Sequence, residues 1–180
     1  MAVLVCGGAG YIGSHVVREL LKQNIDTVVI DSLEYGHKEA IKDCKNFYQG
    51  NIGDSTLLDE IFAKHNIDSV MHLCAYIEVG ESVQNPAKYY HNNVSNSINL
   101  LNAMLRAKVK NFIFSSTAAV YGEPEAIPLK EDCRKEPTNP YGDSKLALEK
   151  ILSWYTKAYD FNYVALRYFN ASGAHPDGDI

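Results

Sequence analysis

Two groups of residues in this sequence have types and spacing that could do chemistry. Gly7, Gly10 and Gly13 stand at GxxGxxG spacing directly after an apolar run, Ala2–Cys6, and open a helical pattern. Glycines permit a tight turn and let backbone N–H groups approach a pyrophosphate at a helix N-terminus. Asp31 ends the second apolar run, where a carboxylate can accept a hydrogen bond from a ribose 2′-OH and repel a 2′-phosphate. This first group predicts a dinucleotide site for NAD rather than NADP.

The second group pairs a phenol with an ammonium. Tyr141 and Lys145 stand four residues apart at the start of a predicted helix, which places both side chains on one face. A free tyrosine has a pKa of about 10, so it can act as a base only if that pKa is lowered. A neighbouring cation, such as lysine or an oxidised nicotinamide ring, would favour the phenolate. Thr117, at the end of the predicted fifth strand, has a hydroxyl that could hydrogen-bond a reacting oxygen. Combined with a dinucleotide loop, the three side chains predict a hydride-transfer site.

Each group also has a structural explanation. The glycines could serve a tight turn alone, with Asp31 capping a strand, and a YxxxK pair commonly just decorates a helix surface. His37 and Lys38, close to Asp31, are the residues that could favour NADP. The functional interpretation is preferred because the strand–loop–helix context, the acidic residue and the position of Thr117 occur together.

Strand-like and helix-like segments alternate along the chain and would position these groups. Apolar runs predict strands at residues 2–6, 27–30, 46–49, 69–73, 111–115 and 163–166. Helical spacing predicts helices at residues 13–22, 55–65, 86–108 and 141–159, and a proline-rich loop covers residues 122–140. The alternation predicts an α/β fold, a doubly wound parallel sheet of Rossmann type with helices on both faces.

Composition restricts the class of protein further. The 180 residues suit one domain, and the net charge of −5 argues against nucleic-acid or anionic membrane partners, which need a basic patch. Residues 1–17 are uncharged but broken by glycines, so neither a signal peptide nor a membrane span is predicted. Four widely spaced cysteines predict free thiols and a cytoplasmic location. The histidines fit no metal-site spacing, so no metal is expected.

Six stretches carry a resemblance to a known family: residues 7–15 (GGAGYIGSH), 72–83 (HLCAYIEVGESV), 92–94 (NNV), 114–122 (FSSTAAVYG), 140–145 (PYGDSK) and 167–178 (RYFNASGAHPDG). Their order and spacing resemble the extended short-chain dehydrogenase/reductase family over the whole chain, and the last stretch resembles its nucleotide-sugar epimerases. The resemblance implies that residues 1–180 form an NAD-binding Rossmann domain that carries the catalytic residues. It also implies a C-terminal substrate domain that is absent from this chain.

The resemblance implies roles for individual residues. Thr117, Tyr141 and Lys145 would be catalytic, and Thr117, Tyr141 and Asn170 would contact the substrate. The implied cofactor contacts are Gly7, Gly10, Tyr11, Ile12 and Gly13 at the pyrophosphate; Asp31, Ser32, Leu33, Glu34, Tyr35 and Gly36 at the adenosine ribose; Asn51 and Ile52 at the adenine; Leu73, Cys74, Ala75, Tyr76 and Ile77 along the cofactor; Asn92 at that loop or the cofactor; and Tyr141, Lys145 and Phe169 near the nicotinamide. Asn51 replaces the family's usual aspartate and Ile77 a lysine of some members, so these two contacts are expected to be weaker.

The implied reaction is NAD-dependent epimerisation at C4 of a UDP-hexose, UDP-glucose or UDP-galactose, through a transient 4-keto intermediate in galactose metabolism. Tyr141 would take the 4′-OH proton while C4 gives hydride to NAD. Lys145 would bind the ribose hydroxyls and lower the pKa of Tyr141. Ala118 and Ala119 stand where related 4,6-dehydratases need an acidic pair, which argues against that reaction. A 4-epimerase of N-acetylated or uronic UDP-sugars and a non-catalytic NAD-binding module stay open as alternatives.

Two predicted helices are more apolar than one buried face requires. They carry Leu100, Leu101, Met104 and Leu105 in one and Leu148, Ile151, Leu152 and Trp154 in the other. Packing on the sheet would explain about half of these positions. The resemblance implies that such helices pair across a two-fold axis, so a homodimer is expected for the full-length protein.

Overall fold

The chain folds around a parallel sheet. In this computed structural model, which describes residues 1–178, the strands are β1 (Ala2–Cys6), β2 (Asp26–Asp31), β3 (Asn46–Gln49), β4 (Ile67–His72), β5 (Asn111–Thr117) and β6 (Asn162–Tyr168). Their order across the sheet is β3-β2-β1-β4-β5-β6, and every neighbouring pair is parallel. The winding reverses between β1 and β4, so their carboxyl ends border the crevice in which such sheets bind ligands.

Helices cover both faces of the sheet. The α-helices of the described residues are α1 (Tyr11–Lys22), α2 (Ser55–Lys64), α3 (Val79–Gln84), α4 (Pro86–Tyr90), α5 (Asn96–Arg106) and α6 (Pro140–Tyr159). Helix α1 and a 3-10 turn at Lys38–Ile41 pack on one face, and α2, α5 and α6 pack on the other. The predicted doubly wound α/β fold is therefore confirmed. None of these helices, within residues 1–178, has the length and apolar character needed to cross a membrane.

The helix predicted over residues 86–108 is interrupted, and an unpredicted helix, α3, precedes it. A π-helical turn, His91–Ser95, separates α4 from α5. Asn93 lies in this turn with 1% of its surface exposed, and its side-chain amide makes hydrogen bonds with the backbone of Tyr76. The wider turn lets the helix continue while Asn93 reaches the loop after β4, as is common for π-turns at functional sites.

One face of the sheet changes from buried to exposed across its width. The strand register places Val29, Val5, Met71, Ile113 and Val164 in one row. Val29 and Val5 are buried in the cluster beneath α1, whereas Val164 on β6 is 55% exposed. Within residues 1–178, the β6 side of this face lacks a covering helix, although parallel sheets are normally covered on both faces.

Most apolar residues of α5 and α6 pack inside the chain. Five of the eight apolar positions predicted on these helices are fully buried in the cluster on the sheet: Leu100, Leu101, Met104, Leu148 and Leu152. Packing on the sheet therefore explains more than half of them. Trp154 on α6 differs, because 67% of its surface is exposed. The homodimer stays a prediction.

Replacing Phe112 with alanine should strongly destabilise the fold. The ring is 2% exposed on β5 and packs near Phe114 and Phe161. Its removal leaves a cavity and should lower the free energy of unfolding by about 3–5 kcal/mol, measured by denaturant titration. Val83→Ala on the exposed side of α3 is the control and should change this free energy by less than about 0.5 kcal/mol. Equal effects of the two substitutions would contradict the assigned core.

Candidate active site

A cleft of about 840 Å³ opens at the carboxyl ends of the strands. Of the predicted site residues, the cleft is lined by Gly7, Gly10, Tyr11, Ile12, Gly13, Asp31, Ser32, Glu34, Tyr35, Gly36, Asn51, Ile52, Leu73, Cys74, Ala75, Tyr76, Ile77, Asn92, Thr117, Tyr141, Lys145, Phe169 and Asn170. Leu33 is the exception, because its side chain packs in the apolar cluster beneath α1. The fold thus brings together residues from eight separate parts of the sequence.

The turn between β1 and α1 requires glycine at two positions. Gly7 has a φ of +81°, and a Cβ there would lie 2.7 Å from the carbonyl carbon of Leu73. A Cβ on Gly13 would lie 2.0 Å from the carbonyl oxygen of Gly7. Since such distances are too short for non-bonded atoms, α1 and the end of β4 meet the turn with no side chain between them. A Cβ on Gly10 would meet only the Gly7 oxygen at 3.5 Å, an ordinary contact.

The N-terminus of α1 faces the cleft without a capping side chain. Its N-cap is Gly10, and its first turn contains no acidic residue. The first N–H groups of a helix have no partner within the helix, and the helix dipole favours negative charge there. Tyr11 and Ile12, the first residues of α1, line the cleft at this point. The arrangement fits a pyrophosphate group.

Backbone donors hold Asp31 at the end of β2. Its Oδ2 accepts the N–H of Ala9 at 2.9 Å, and its Oδ1 accepts the N–H of Leu33 at 2.8 Å. Each carboxylate oxygen keeps a further lone pair that can accept from a hydroxyl, whereas a phosphate offers it no donor. The position fits an adenosine ribose with a free 2′-OH, as in NAD.

Asn93, which the sequence reasoning missed, holds the loop after β4. Its Oδ1 accepts the N–H of Tyr76 at 3.0 Å, and its Nδ2 donates to the carbonyl of Tyr76 at 3.0 Å and to Ser144 Oγ at 3.2 Å. Asn92, the predicted anchor, lines the cleft and donates to Asn93 Oδ1. The adjacent asparagines were a signal, but the π-helical turn decides which one points inward.

Thr117, Tyr141 and Lys145 meet at one end of the cleft. Burial raises the pKa of Tyr141, and a hydrogen bond with Thr117 opposes the increase. Burial also lowers the pKa of Lys145 to about 8. The Lys145 ammonium donates to the carbonyl oxygen of Ser115 at 2.6 Å. The predicted lowering of the Tyr141 pKa by Lys145 is therefore not seen, because the ammonium is directed to β5.

Glu149 fixes the face of α6 that carries Tyr141 and Lys145. Its carboxylate accepts the hydroxyl of Ser116 at 2.5 Å and two N–H groups of Arg167 at 2.9 and 2.8 Å. Burial raises the pKa of Glu149, but the bonds from Arg167 and Ser116 outweigh it and bring the pKa below its usual value. Because Ser116 lies on β5 and Arg167 on β6, Glu149 ties the helix to both strands.

A model of the NAD dependent epimerase/dehydratase family matches residues 3–180. The chain belongs to this family. A UDP-glucose 4-epimerase of Halalkalibacterium halodurans is 54% identical over 180 residues, which are 100% of this chain and 54% of that protein. The family resemblance inferred from the six stretches is confirmed.

Two solved structures have the same fold. The structure of UDP-glucose 4-epimerase from Brucella ovis in complex with NAD is 47% identical, with a TM-score of 0.96 over 98% of this chain and 54% of that one. The structure of UDP-glucose 4-epimerase from Bifidobacterium longum in complex with NAD+ and UDP is 38% identical, with a TM-score of 0.94 over 100% of this chain and 56% of that one. The chain thus spans about half the length of the relatives it matches.

Alanine at Gly13 and alanine at Gly10 should have different effects. Gly13→Ala forces a methyl group against the Gly7 carbonyl and should lower the free energy of unfolding by at least about 2 kcal/mol. Gly10→Ala should change it by less than about 1 kcal/mol but weaken NAD binding more than about tenfold, because the methyl group keeps a phosphate from the N–H groups of α1. Denaturant unfolding and calorimetric titration measure the two effects. Unchanged NAD affinity in Gly10→Ala would contradict the proposed phosphate position.

Replacing Lys145 with methionine should stabilise the chain at neutral pH. The folded state holds this ammonium at a pKa of about 8 against a usual 10.5, which corresponds to a penalty on the order of 3 kcal/mol. Methionine has a similar length and no charge. Lys145→Met should therefore raise the free energy of unfolding by about 1–3 kcal/mol at pH 7.

The gain from Lys145→Met should depend on pH in one direction. Below about pH 8 the lysine is charged in both states, so the full penalty applies; between about 8 and 10.5 it stays charged only in the unfolded chain. The parent chain should gain stability across that interval, and the advantage of the variant should shrink. Urea unfolding at several pH values measures this, with Lys150→Met on the exposed side of α6 as the control. A pH-independent difference would contradict the buried ammonium.

Proposed function

We propose that this chain is the NAD-binding and catalytic portion of a UDP-hexose 4-epimerase that interconverts UDP-glucose and UDP-galactose. The proposal rests on one cleft that is lined by both groups of residues. The glycine turn and Asp31 line one part of it, and Thr117, Tyr141 and Lys145 line another. Relatives at about 50% identity are UDP-glucose 4-epimerases. Because the chain spans about half of their length, the complete activity is proposed for a protein with a substrate domain beyond residue 180.

The proposed cofactor is NAD, held by the N-terminus of α1 at its pyrophosphate and by Asp31 at its adenosine ribose. When bound, NAD would accept a hydride from C4 of the hexose and return it. The chain's own side chains would bind and orient the reactants. Residues 1–178 contain no cluster of three or more His, Cys, Asp or Glu side chains that could hold a metal ion.

Tyr141 would handle the proton. The phenol oxygen of Tyr141 would accept the proton of the 4′-OH. After the 4-keto sugar rotates in the site, Tyr141 would return the proton to the sugar's O4′. Thr117, whose hydroxyl acts to lower the pKa of Tyr141, would shorten the proton path. Burial raises the pKa of Tyr141, so the phenolate needs a cation nearby. Lys145, one helical turn away, would supply that cation by moving from Ser115 towards the phenol and the ribose hydroxyls.

The residues after Thr117 favour epimerisation over the dehydration that the family also includes. Ala118 and Ala119 line the cleft, and neither side chain can donate or accept the proton that elimination of water requires. Asn170, at the same end, is proposed to contact the sugar nucleotide. Epimerisation of N-acetylated or uronic UDP-sugars uses the same residues of this chain and stays an alternative.

A homodimer and a cytoplasmic location are part of the proposal. The four cysteines are free thiols, which suits a reducing compartment. The large exposed ring of Trp154 on α6 offers an apolar contact for a second copy of the chain, since aromatic side chains are enriched at interfaces.

A non-catalytic NAD-binding module is the second candidate. It is favoured by the open substrate end of the cleft, where Phe169 is 68% exposed in the described part of the chain. Calorimetric titration of the 180-residue chain with NAD and then with UDP-glucose separates the candidates. Micromolar binding of UDP-glucose would contradict the module, and NAD binding alone would support it for this chain.

Catalysis can be tested by joining residues 1–180 to the C-terminal part of the relative from Halalkalibacterium halodurans. The chimera should epimerise UDP-galactose, and Tyr141→Phe should lower its kcat by at least about 100-fold while NAD stays bound, because the proton acceptor is lost. Tyr159→Phe on the exposed end of α6 is the matched control and should keep full activity. Full turnover by Tyr141→Phe would rule out the proposed mechanism.

A further inference from the structure

Cys74 lines the cleft with two buried neighbours, Cys6 and His72, and the proposed epimerase mechanism uses none of the three as a reacting group. Cys74 follows β4, lines the cleft and is partly exposed, whereas Cys6 at the end of β1 is fully buried. Both side chains belong to the same apolar cluster. The register pairs Cys6 with His72, and the N–H of Leu73 donates to the Cys6 carbonyl at 2.8 Å. The end of β4 thus carries His72 and Cys74 beside Cys6.

Hydrogen bonds determine which nitrogen of His72 carries a proton. Ser97 Oγ donates its hydrogen to the Asn93 carbonyl at 2.8 Å and lies 2.9 Å from His72 Nε2. The serine oxygen must therefore accept, so Nε2 of His72 is the donor and Nδ1 of the neutral ring keeps a lone pair. Among the residues described, Nδ1 is a buried side-chain polar atom without a hydrogen-bond partner, and the ring is fully buried. An unpartnered buried acceptor calls for a functional explanation.

The charges around Cys74 favour its thiolate form. The neighbouring Cys6 thiol lowers the pKa of Cys74, and His72 and the ammonium of Lys145 lower it further against the effect of burial. Burial and the neighbouring Cys74 raise the pKa of Cys6, so Cys6 stays protonated. A thiol with a lowered pKa beside a cation and a histidine, in a cleft that solvent reaches, has the environment of a reactive cysteine.

We infer that Cys74 is a nucleophilic thiol and a site of covalent modification by soft electrophiles such as peroxides and alkylating agents, with His72 Nδ1 as the acceptor of its proton. With hydrogen peroxide, the sulfur attacks one oxygen and the O–O bond breaks. The other oxygen leaves as hydroxide and takes up the proton that His72 accepted from the thiol, which forms water. The sulfur is oxidised to a sulfenic acid and the peroxide is reduced.

Modification would close the cleft to the cofactor. Cys74 lies in the cleft wall with Gly7 and Lys145, where the proposed function puts NAD, so a group bound to its sulfur would take part of the cofactor's space. This consequence rests on the proposed function, whereas the reactivity of the thiol does not. Bound NAD should in turn shield Cys74.

Carbamidomethylation by iodoacetamide tests the reactivity in the reduced 180-residue chain at pH 7, with the labelled residues followed by mass spectrometry. Cys133, partly exposed outside the cleft, is the internal comparison, and the buried Cys6 and Cys44 report that the chain stays folded. Cys74 should react at least about tenfold faster than Cys133. Equal or slower labelling of Cys74 would overturn the inference.

His72→Gln separates a proton acceptor from mere packing. Glutamine can still donate to Ser97 but cannot take up the thiol proton, so labelling of Cys74 should slow by about tenfold while that of Cys133 stays the same. An unchanged rate at Cys74 would contradict the role of His72. If Cys44 becomes labelled in the variant, the variant no longer folds correctly. The pH dependence of labelling in the parent chain then tests the inference. Fast labelling of Cys74 should then persist to lower pH than that of Cys133, and parallel profiles would overturn the inference.

Labelling in the presence of NAD distinguishes this inference from the proposed function. Slower labelling of Cys74 with NAD supports both. Fast labelling that NAD does not slow supports the reactive thiol and counts against the proposed position of NAD.

Discussion

The site depends on a backbone contact in which three elements meet without side chains between them. Gly13 of α1 packs on the carbonyl of Gly7, and Gly7 packs on the backbone of Leu73 after β4. This contact brings the N-terminus of α1 to the point where the winding of the sheet reverses, so the positive end of the helix dipole faces the crevice. It also draws the segment after β4 against the turn, which makes that segment the floor of the cleft. Any side chain at position 7 or 13 would separate the helix, the turn and the strand.

A buried ammonium is the second constraint, and it acts against stability. Lys145 is 3% exposed with its pKa lowered to about 8, so the folded chain bears a desolvation penalty at neutral pH. The same helix face carries Glu149, whose charge is matched by Arg167 at 2.8 Å. One charge on this face is therefore neutralised by the fold, while the other is left available to a ligand. Functional sites commonly hold a poorly compensated group of this kind.

The features that could be predicted from the sequence are those set by local pattern. Apolar runs located every strand, and the glycine spacing located the turn, because both signals lie within about 20 residues. The inward direction of Asn93 depends on Tyr76 and on Ser144, which lies 51 residues away. The direction of the Lys145 ammonium depends on Ser115, 30 residues away. A sequence pattern can indicate that such residues are functional, but it does not predict their hydrogen-bond partners. The same limit explains why the helix over residues 86–108 was predicted as continuous.

The π-helical turn connects the two chemically distinct sides of the cleft. Asn93 holds the backbone of Tyr76 with its side chain, contacts Ser144 beside Lys145 on α6, and accepts from Ser97 through its carbonyl. Ser97 in turn fixes the ring of His72. A regular helix would rotate Asn93 away from one of these partners, because each residue advances the helix by about 100° and the extra residue of a π-turn changes that phase. One local widening of a helix therefore orients both the tyrosine–lysine face of α6 and the end of β4 that carries His72 and Cys74, so a change at Asn93 would disturb both at once.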